Sequence, residues 1–435
     1  MKRLLLICAL MPLFALAQED YKELWPNGNV KEEGKKTDTL RQGAWKTYYE
    51  DGAVFCEGKY KDNVKIGRWK CYYRSGQLLS DQELENGKNV SYYADGKTEF
   101  QGQLKDGKKS GVWEYFYADS KPMKKVNYKT GLQHGTEQQW HENGQLGMQG
   151  DYKEGRKEGP FVWYYDNGKK EMEGAFEADK RQGEWKFYYE NGTLGSKGLF
   201  RDDKLEGEWL YFYENEGTKW KVGQFASGLK TGEWNRFYET GQPLSKGQFE
   251  KDDETGVWTS WYANGKVKEQ GEFVKGEMHG KWLGYFEDGE PKFEVEYKNG
   301  KRHGHALLWY PNGNKQYDKY YEEGLENGQS TEWHETGELR AEGNYVKGDK
   351  DGLWKLFYSN GFKFQEMTYI KGKLDGISQA WYEHGAKWFA ISYKDGRLNG
   401  TNTYWDPDGN ITYRAKYTNG KLDKVIQKSG ELDKF

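Results

Sequence analysis

Gly183-Glu184-Trp185-Lys186-Phe187-Tyr188-Tyr189-Glu190-Asn191-Gly192 decides how this chain is read. It is a ring-rich run suited to a β-strand, closed by Asn-Gly, a dipeptide favoured in two-residue type I′ hairpin turns. Moving outward, the closing Gly recurs at Gly28, Gly52, Gly76, Gly96, Gly144, Gly168, Gly265, Gly289, Gly313, Gly361 and Gly409, mostly after Asn or Asp. Gly217, Gly241, Gly337, Gly385 and Asp119-Ser120 fill the gaps. The interval is 24 residues except for 20 between Gly76 and Gly96 and 25 between Gly192 and Gly217. Each mark reads as a hairpin tip.

The opening Gly183 has its own series, from Gly43 and Gly67 to Gly376 and Gly400, and every one of its sixteen members is followed five residues later by an aromatic. After each tip a second strand runs to an aromatic eight residues on, as in Tyr60, Phe176, Phe249 and Tyr393. A short loop carrying the second Gly series leads to the next copy. The unit is strand, tight turn, strand, loop, repeated about 16 times.

Differences between copies give the register. Six residues past the tip stands a Gly in ten copies, and each is answered, two past the next Gly of the second series, by a large ring. Gly58 is answered by Trp69, Gly174 by Trp185, Gly198 by Trp209 and Gly271 by Trp282. Where the Gly becomes Gln82, Val126, Val295, Lys319, Met367 or Ile391, the ring becomes Asn89, Glu137, Ala306, Ser330, Ser378 or Asn402. A ring laid across a neighbouring strand needs bare backbone beneath it, so Gly58 is expected under Trp69, with Trp45 opposite Gly58 on its other side.

This accounts for the composition. Only 35% of the 435 residues are hydrophobic, yet 17% are aromatic, and 57 Gly stand against 8 Pro. Disordered chains lack rings and carry high net charge; this one has 66 basic and 69 acidic side chains, a formal charge of −3. No basic excess exists for nucleic acid. The expected fold is all-β, an elongated single-layer antiparallel hairpin ribbon of roughly 32 strands, about 150 Å long at about 4.8 Å per strand.

Residues 1–17 read as a secretory signal peptide: Lys2 and Arg3, an apolar run from Leu4 to Leu13, and Ala15-Leu16-Ala17 before the cut. The run is shorter than a membrane span needs, and no other stretch of the mature chain reads as one. Export to the periplasm, the cell surface or the medium is expected. Residues 18–423 hold the repeats. Residues 424–435 lack the rings and read as a polar cap that blunts the last edge strand. The 20-residue interval is expected to shorten a strand or loop, and the extra residue near Glu216 to form a bulge.

The Gly183–Gly192 unit resembles the MORN repeat, in the variant form often labelled YwqK-type antitoxin. The resemblance covers residues 21–423 and rests on the number of copies. It implies a twisted β-sheet groove used as an interaction scaffold, with some members associated with membranes or lipids. The antitoxin label fits an exported chain badly. Choline- and glucan-binding cell-wall repeats are similar in composition, but their period is nearer twenty residues.

Little in the sequence points to catalysis, a cofactor or a metal. His303-Gly304-His305 has no Cys or carboxylate at a defined spacing, and His141 and His334 stand where other copies have Tyr. Carboxylates are many, but a one-layer sheet encloses none well enough to tune a general acid. Cys56 and Cys71 fall opposite each other in the same register, as a disulfide or as two small buried thiols. A protein partner is the leading expectation. A carbohydrate or envelope lipid is the alternative, through Trp140, Trp309, Trp333, Trp381 and Trp405, which lie out of phase with Trp69 and so on the other face.

Overall fold

A computed structural model describes residues 17–429. The signal peptide expected over 1–17 therefore lies almost wholly outside the described residues. Every regular element among those residues is a β-strand. The chain divides into two compact units, residues 1–205 and 206–435. Within each, strands pair antiparallel with their sequence neighbours, so each unit is a meander one layer thick.

The hairpin Leu40–Tyr48 and Val54–Lys61 is representative. Trp45 pairs with Gly58 and Thr47 with Cys56, after which the register slips by one residue at Tyr48 and Val54, leaving Phe55 as a bulge. The same slip recurs beside nearly every tip, for example between Phe187 and Tyr188.

The tips are not the type I′ turns that Asn-Gly and Asp-Gly lead one to expect. Gly52 N–H donates to the Tyr49 carbonyl at 3.0 Å, and Tyr49 N–H to the Ala53 carbonyl at 2.8 Å. Gly52 has a φ of 90°, but Asp51 is not among the residues with positive φ. A type I′ turn needs positive φ at both central residues. The tip is therefore a three-residue loop, a type I turn over Glu50-Asp51 closed by left-handed Gly52. The type I′ turns lie at the opposite edge, where Asp62 and Asn63, with φ of 52° and 64°, join Lys61 to Val64.

The second Gly series also differs from expectation, for it lies inside strands. Gly67 has a φ of 61° within Val64–Tyr72. Around it the ladder jumps from Glu57 opposite Lys70 to Lys59 opposite Ile66, so Gly58 has no ladder partner on that side. A left-handed residue inside a strand demands Gly.

The irregular intervals are absorbed locally. The short one trims two neighbouring strands to Leu78–Glu83 and Gly87–Tyr92. The long one enlarges a turn, since Tyr213 N–H reaches the Thr218 carbonyl and Gly217 N–H returns to Tyr213; the extra residue sits in the loop rather than in a strand bulge. At the end of the chain, Lys421–Lys428 is a strand, every residue of it exposed. The cap expected from residue 424 thus begins as strand, with Val425 and Ile426 outward.

Candidate functional site

The two faces of the sheet differ in chemistry. On one lie the large rings. A Cβ on Gly58, Gly174 or Gly271 would run into the indole of Trp69, Trp185 or Trp282. Gly198 and Trp209 fall in different units: Gly198 lies opposite Trp185, and Trp209 lies opposite Gly223. The indole also fills a polar role. Trp69 Nε1–H donates to the Lys59 carbonyl at 3.2 Å, Trp185 to Ala175 at 3.2 Å, and Trp282 to Glu272 at 3.2 Å. That carbonyl belongs to the residue after the bare Gly, where the ladder is broken. Phe161 has no N–H to offer, and there Gly150 keeps its ladder pairing with Phe161.

Trp alternates with Phe in an edge-on row. In the second unit the row runs Phe225, Trp234, Phe249, Trp258, Phe273, Trp282, with ring centroids 5.1 to 6.0 Å apart and interplanar angles of 79° to 90°. This geometry suits ring quadrupoles. A cation crowns many of the rings: Lys65 lies 4.1 Å from the Trp69 centroid and Lys350 4.2 Å from that of Trp354, an attraction worth about 0.5–1 kcal/mol where exposed. Trp45 and Trp185 are each only 1% exposed. The rings are consumed in holding a single layer together.

The opposite face is charged and balanced. Lys46 pairs with Glu57 at 3.2 Å, Lys125 with Glu114 at 3.3 Å, and Lys281 with Glu294 at 2.6 Å. At its margin Tyr48 donates to Glu33 at 2.5 Å and Tyr188 to Glu173 at 2.6 Å. Burial, then Glu33, pushes Tyr48 up to about 12, while the Tyr48 hydroxyl holds Glu33 below the usual carboxylate range.

Along the tips, side chains within each unit tie most copies to the next. Tyr49 donates to the Tyr72 carbonyl at 3.0 Å and Tyr93 to Phe116 at 2.7 Å, while His141 Nε2 meets Tyr164 O at 2.8 Å. This explains the second aromatic of the strand and its replacement by His.

Trp140, Trp309, Trp333, Trp381 and Trp405 are half-buried at the tip ends of their strands, and no ring contact joins any two of them among the described residues. Trp140 lines a cavity of about 350 Å³ with His141, Met148, Tyr152 and Trp163. Trp333, Trp381 and Trp405 lie under Lys315, Lys363 and Lys387 at 5.0 to 5.8 Å. Trp405 also borders a larger cleft of about 850 Å³ with Tyr382, Trp388, Tyr404, Tyr413 and Tyr417. The sequence reading missed this cleft, although the loss of the Gly/Trp pair in the last copies signals it. Cys56 and Cys71 are joined by a disulfide, with Cα atoms 4.0 Å apart, the close spacing of a non-hydrogen-bonded pair. No cluster of three or more His, Cys, Asp or Glu placed to hold a metal occurs among the described residues.

The model of the MORN repeat variant matches eleven segments: 41–62, 65–86, 109–130, 133–154, 157–177, 181–202, 230–251, 254–275, 278–299, 302–323 and 326–347. Together they cover more than half of the chain. The chain belongs to the MORN repeat variant family. The MORN hairpin continues beyond the matched segments, since Gly352–Tyr369 and Gly400–Tyr417 pair in the same register as Gly43–Tyr60. No curated protein matches the chain.

Among solved structures, the chain is similar to TcdB2-TccC3-Cdc42, at 11% identity over 93% of this chain and 26% of that one, with a TM-score of 0.15. TcdB2-TccC3-TEV follows at 12% identity over 93% and 24%, TM-score 0.15. The Photorhabdus luminescens Tc holotoxin pore matches at 10% identity over 92% and 29%, TM-score 0.14. The MORN chain thus spans about a quarter of the length of these chains, and at such TM-scores the likeness carries no argument.

Proposed function

We propose that this MORN repeat chain is an exported, non-enzymatic scaffold that offers its charged face and tip edge to a protein partner. The observation that carries the reading is the fate of the rings. Stacking on sugars needs exposed, coplanar aromatic faces, whereas the Trp/Phe row is edge-on and buried or half-buried. What remains outward is a regular lattice of Lys and Glu, of the kind that fixes register and partner choice in protein recognition. Its balanced pairs also leave no cationic excess for an anionic membrane surface. Export is supported by the basic and apolar segments of residues 1–17 and by the Cys56–Cys71 disulfide, since such bonds persist in oxidising compartments.

The test is affinity capture from envelope extract, followed by hydrogen exchange on the purified complex. Protection confined to the Lys/Glu face or tip edge supports the reading; saturable binding of glycans alone on an array overturns it. N-terminal sequencing of the secreted chain is expected to begin at Gln18.

One observation favours a second reading. The cleft bordered by Trp388, Tyr404 and Tyr413 is open, and Trp388 is 38% exposed. It has the ring lining of a glycan site, and Trp388→Ala would abolish glycan binding there without touching capture of a protein.

A further inference from the structure

One station of the ring face departs from the repeat. The fourth residue past each tip Gly faces the fourth residue past the next strand Gly, as with Cys56 and Cys71, Met172 and Phe187, or Ala341 and Leu356. At this station in the second unit Lys221 stands opposite Arg236. Like charges placed directly across a ladder cost stability. Among the described residues no carboxylate pairs with either side chain or with the nearby Lys230 Nζ.

The first copy shows how charge at this station can be balanced. Glu32 there occupies the place of Lys221 and accepts two hydrogen bonds, at 2.8 and 2.9 Å, from Arg41, which occupies the place of Lys230. At the later station Lys221 stands where the first copy has Glu32, beside Lys230 and Arg236. Lys221 Nζ lies 4.0 Å from the Tyr211 centroid, 4.5 Å from Trp220 and 5.6 Å from Trp234. Burial, with Lys230 and Arg236 close by, holds it below the usual ammonium range.

A second departure is independent of charge. Trp234 is 4% exposed, and its buried Nε1–H has no acceptor, whereas Trp258 on the next copy donates to the Gln248 carbonyl at 3.2 Å. Beside Arg236 opens a cavity of about 340 Å³, lined also by Ser245, Ser260 and Trp258. Glu254 and Glu269 border it as well, and neither is an ion-pair partner of Arg236.

We propose that Lys221 and Arg236 form an oxyanion site on the ring face, which takes a singly charged carboxylate or sulfate carried on an aromatic or apolar body. The guanidinium and ammonium supply the donors, and the rings around them receive the body. Glu254 and Glu269 repel a second negative charge, which sets the limit of one. The site does not depend on which partner the charged face binds.

The experiment titrates the full mature chain with phenylacetate, phenyl sulfate, phenyl phosphate and uncharged benzyl alcohol, read by ligand-observed NMR. Saturable binding of phenylacetate or phenyl sulfate at least tenfold tighter than benzyl alcohol is expected, and a tenfold or greater loss in Lys221→Gln/Arg236→Gln. Equal binding by benzyl alcohol, unchanged binding in the double variant, or no saturation overturns the site. Tighter binding of phenyl phosphate overturns the single-charge limit. A readout free of any ligand is the melting temperature of Lys221→Met, which is expected to rise as the repulsion is removed; a fall overturns the premise that the station lacks its counter-ion.

Discussion

The Trp69 indole lies across Gly58 and donates its N–H to the Lys59 carbonyl, at 3.2 Å. One side chain thus fills the space that Gly leaves empty and satisfies the backbone acceptor that the broken ladder releases. The pairing is mutual: ring without Gly collides, and Gly without ring leaves backbone bare.

Gly271→Ala is therefore expected to destabilise the chain by about 1–3 kcal/mol, the range for overpacking a well-filled site. Because the nearest atoms such a Cβ would meet all belong to Trp282, adding Trp282→Ala should remove most of the new penalty, so the two changes couple strongly. Urea unfolding of both singles and the double measures this. Simple additivity would refute the contact.

The hydrogen bond can be separated from the ring. Trp185→Phe loses a donor to Ala175 O and is expected to cost about 1 kcal/mol beyond the change in packing. Trp234→Phe removes an N–H that has no acceptor, so it should be clearly milder. Comparable losses at the two positions would contradict the assignment.

Cys56 and Cys71 enclose a sequence separation of 15. A loop of that size gives about 3 kcal/mol in the chain-entropy model, so Cys56→Ser/Cys71→Ser should lower stability by about that amount. Labelling of the untreated mature chain should find no free thiol, and labelling after reduction should find both.

Two pH limits follow from the Tyr48–Glu33 pair. Glu33 is depressed, chiefly by the Tyr48 hydroxyl; its contribution is present above the unfolded carboxylate value of about 4.3 and disappears as pH falls through the lower folded value. Tyr48 is raised to about 12, chiefly by burial; its contribution is complete below the unfolded phenol value of about 10 and is lost as pH climbs towards 12. Tyr152 is also raised to about 12, again by burial first. Stability is thus expected to fall above about pH 10, and Tyr48→Phe should flatten that limb. Thermal melts across the range check both signs.

Much of this arrangement was legible because hairpin register is arithmetic. Once Trp45 is set against Gly58, Thr47 must meet Cys56, and the ladder obeys. The turn types were not legible, since Asp51-Gly52 serves equally as the centre of a type I′ turn or as the last two residues of a three-residue loop; both want Gly at the final position. Gly67 was misplaced for a related reason, as a left-handed residue inside a strand and one in a loop carry the same sequence mark. The strand from Lys421 escaped notice because Ile426 stands where earlier copies carry a ring.

The bond from Tyr49 to the Tyr72 carbonyl reaches 23 residues ahead, just short of one full period. Most of the tip-edge bonds share this reach, so excising or duplicating 24 residues would leave most donors at the seam facing an equivalent acceptor. Such a chain can change length by recombination in whole copies without rebuilding a core, whereas a slip of one residue has to be discharged in a turn, as it is between Tyr213 and Thr218.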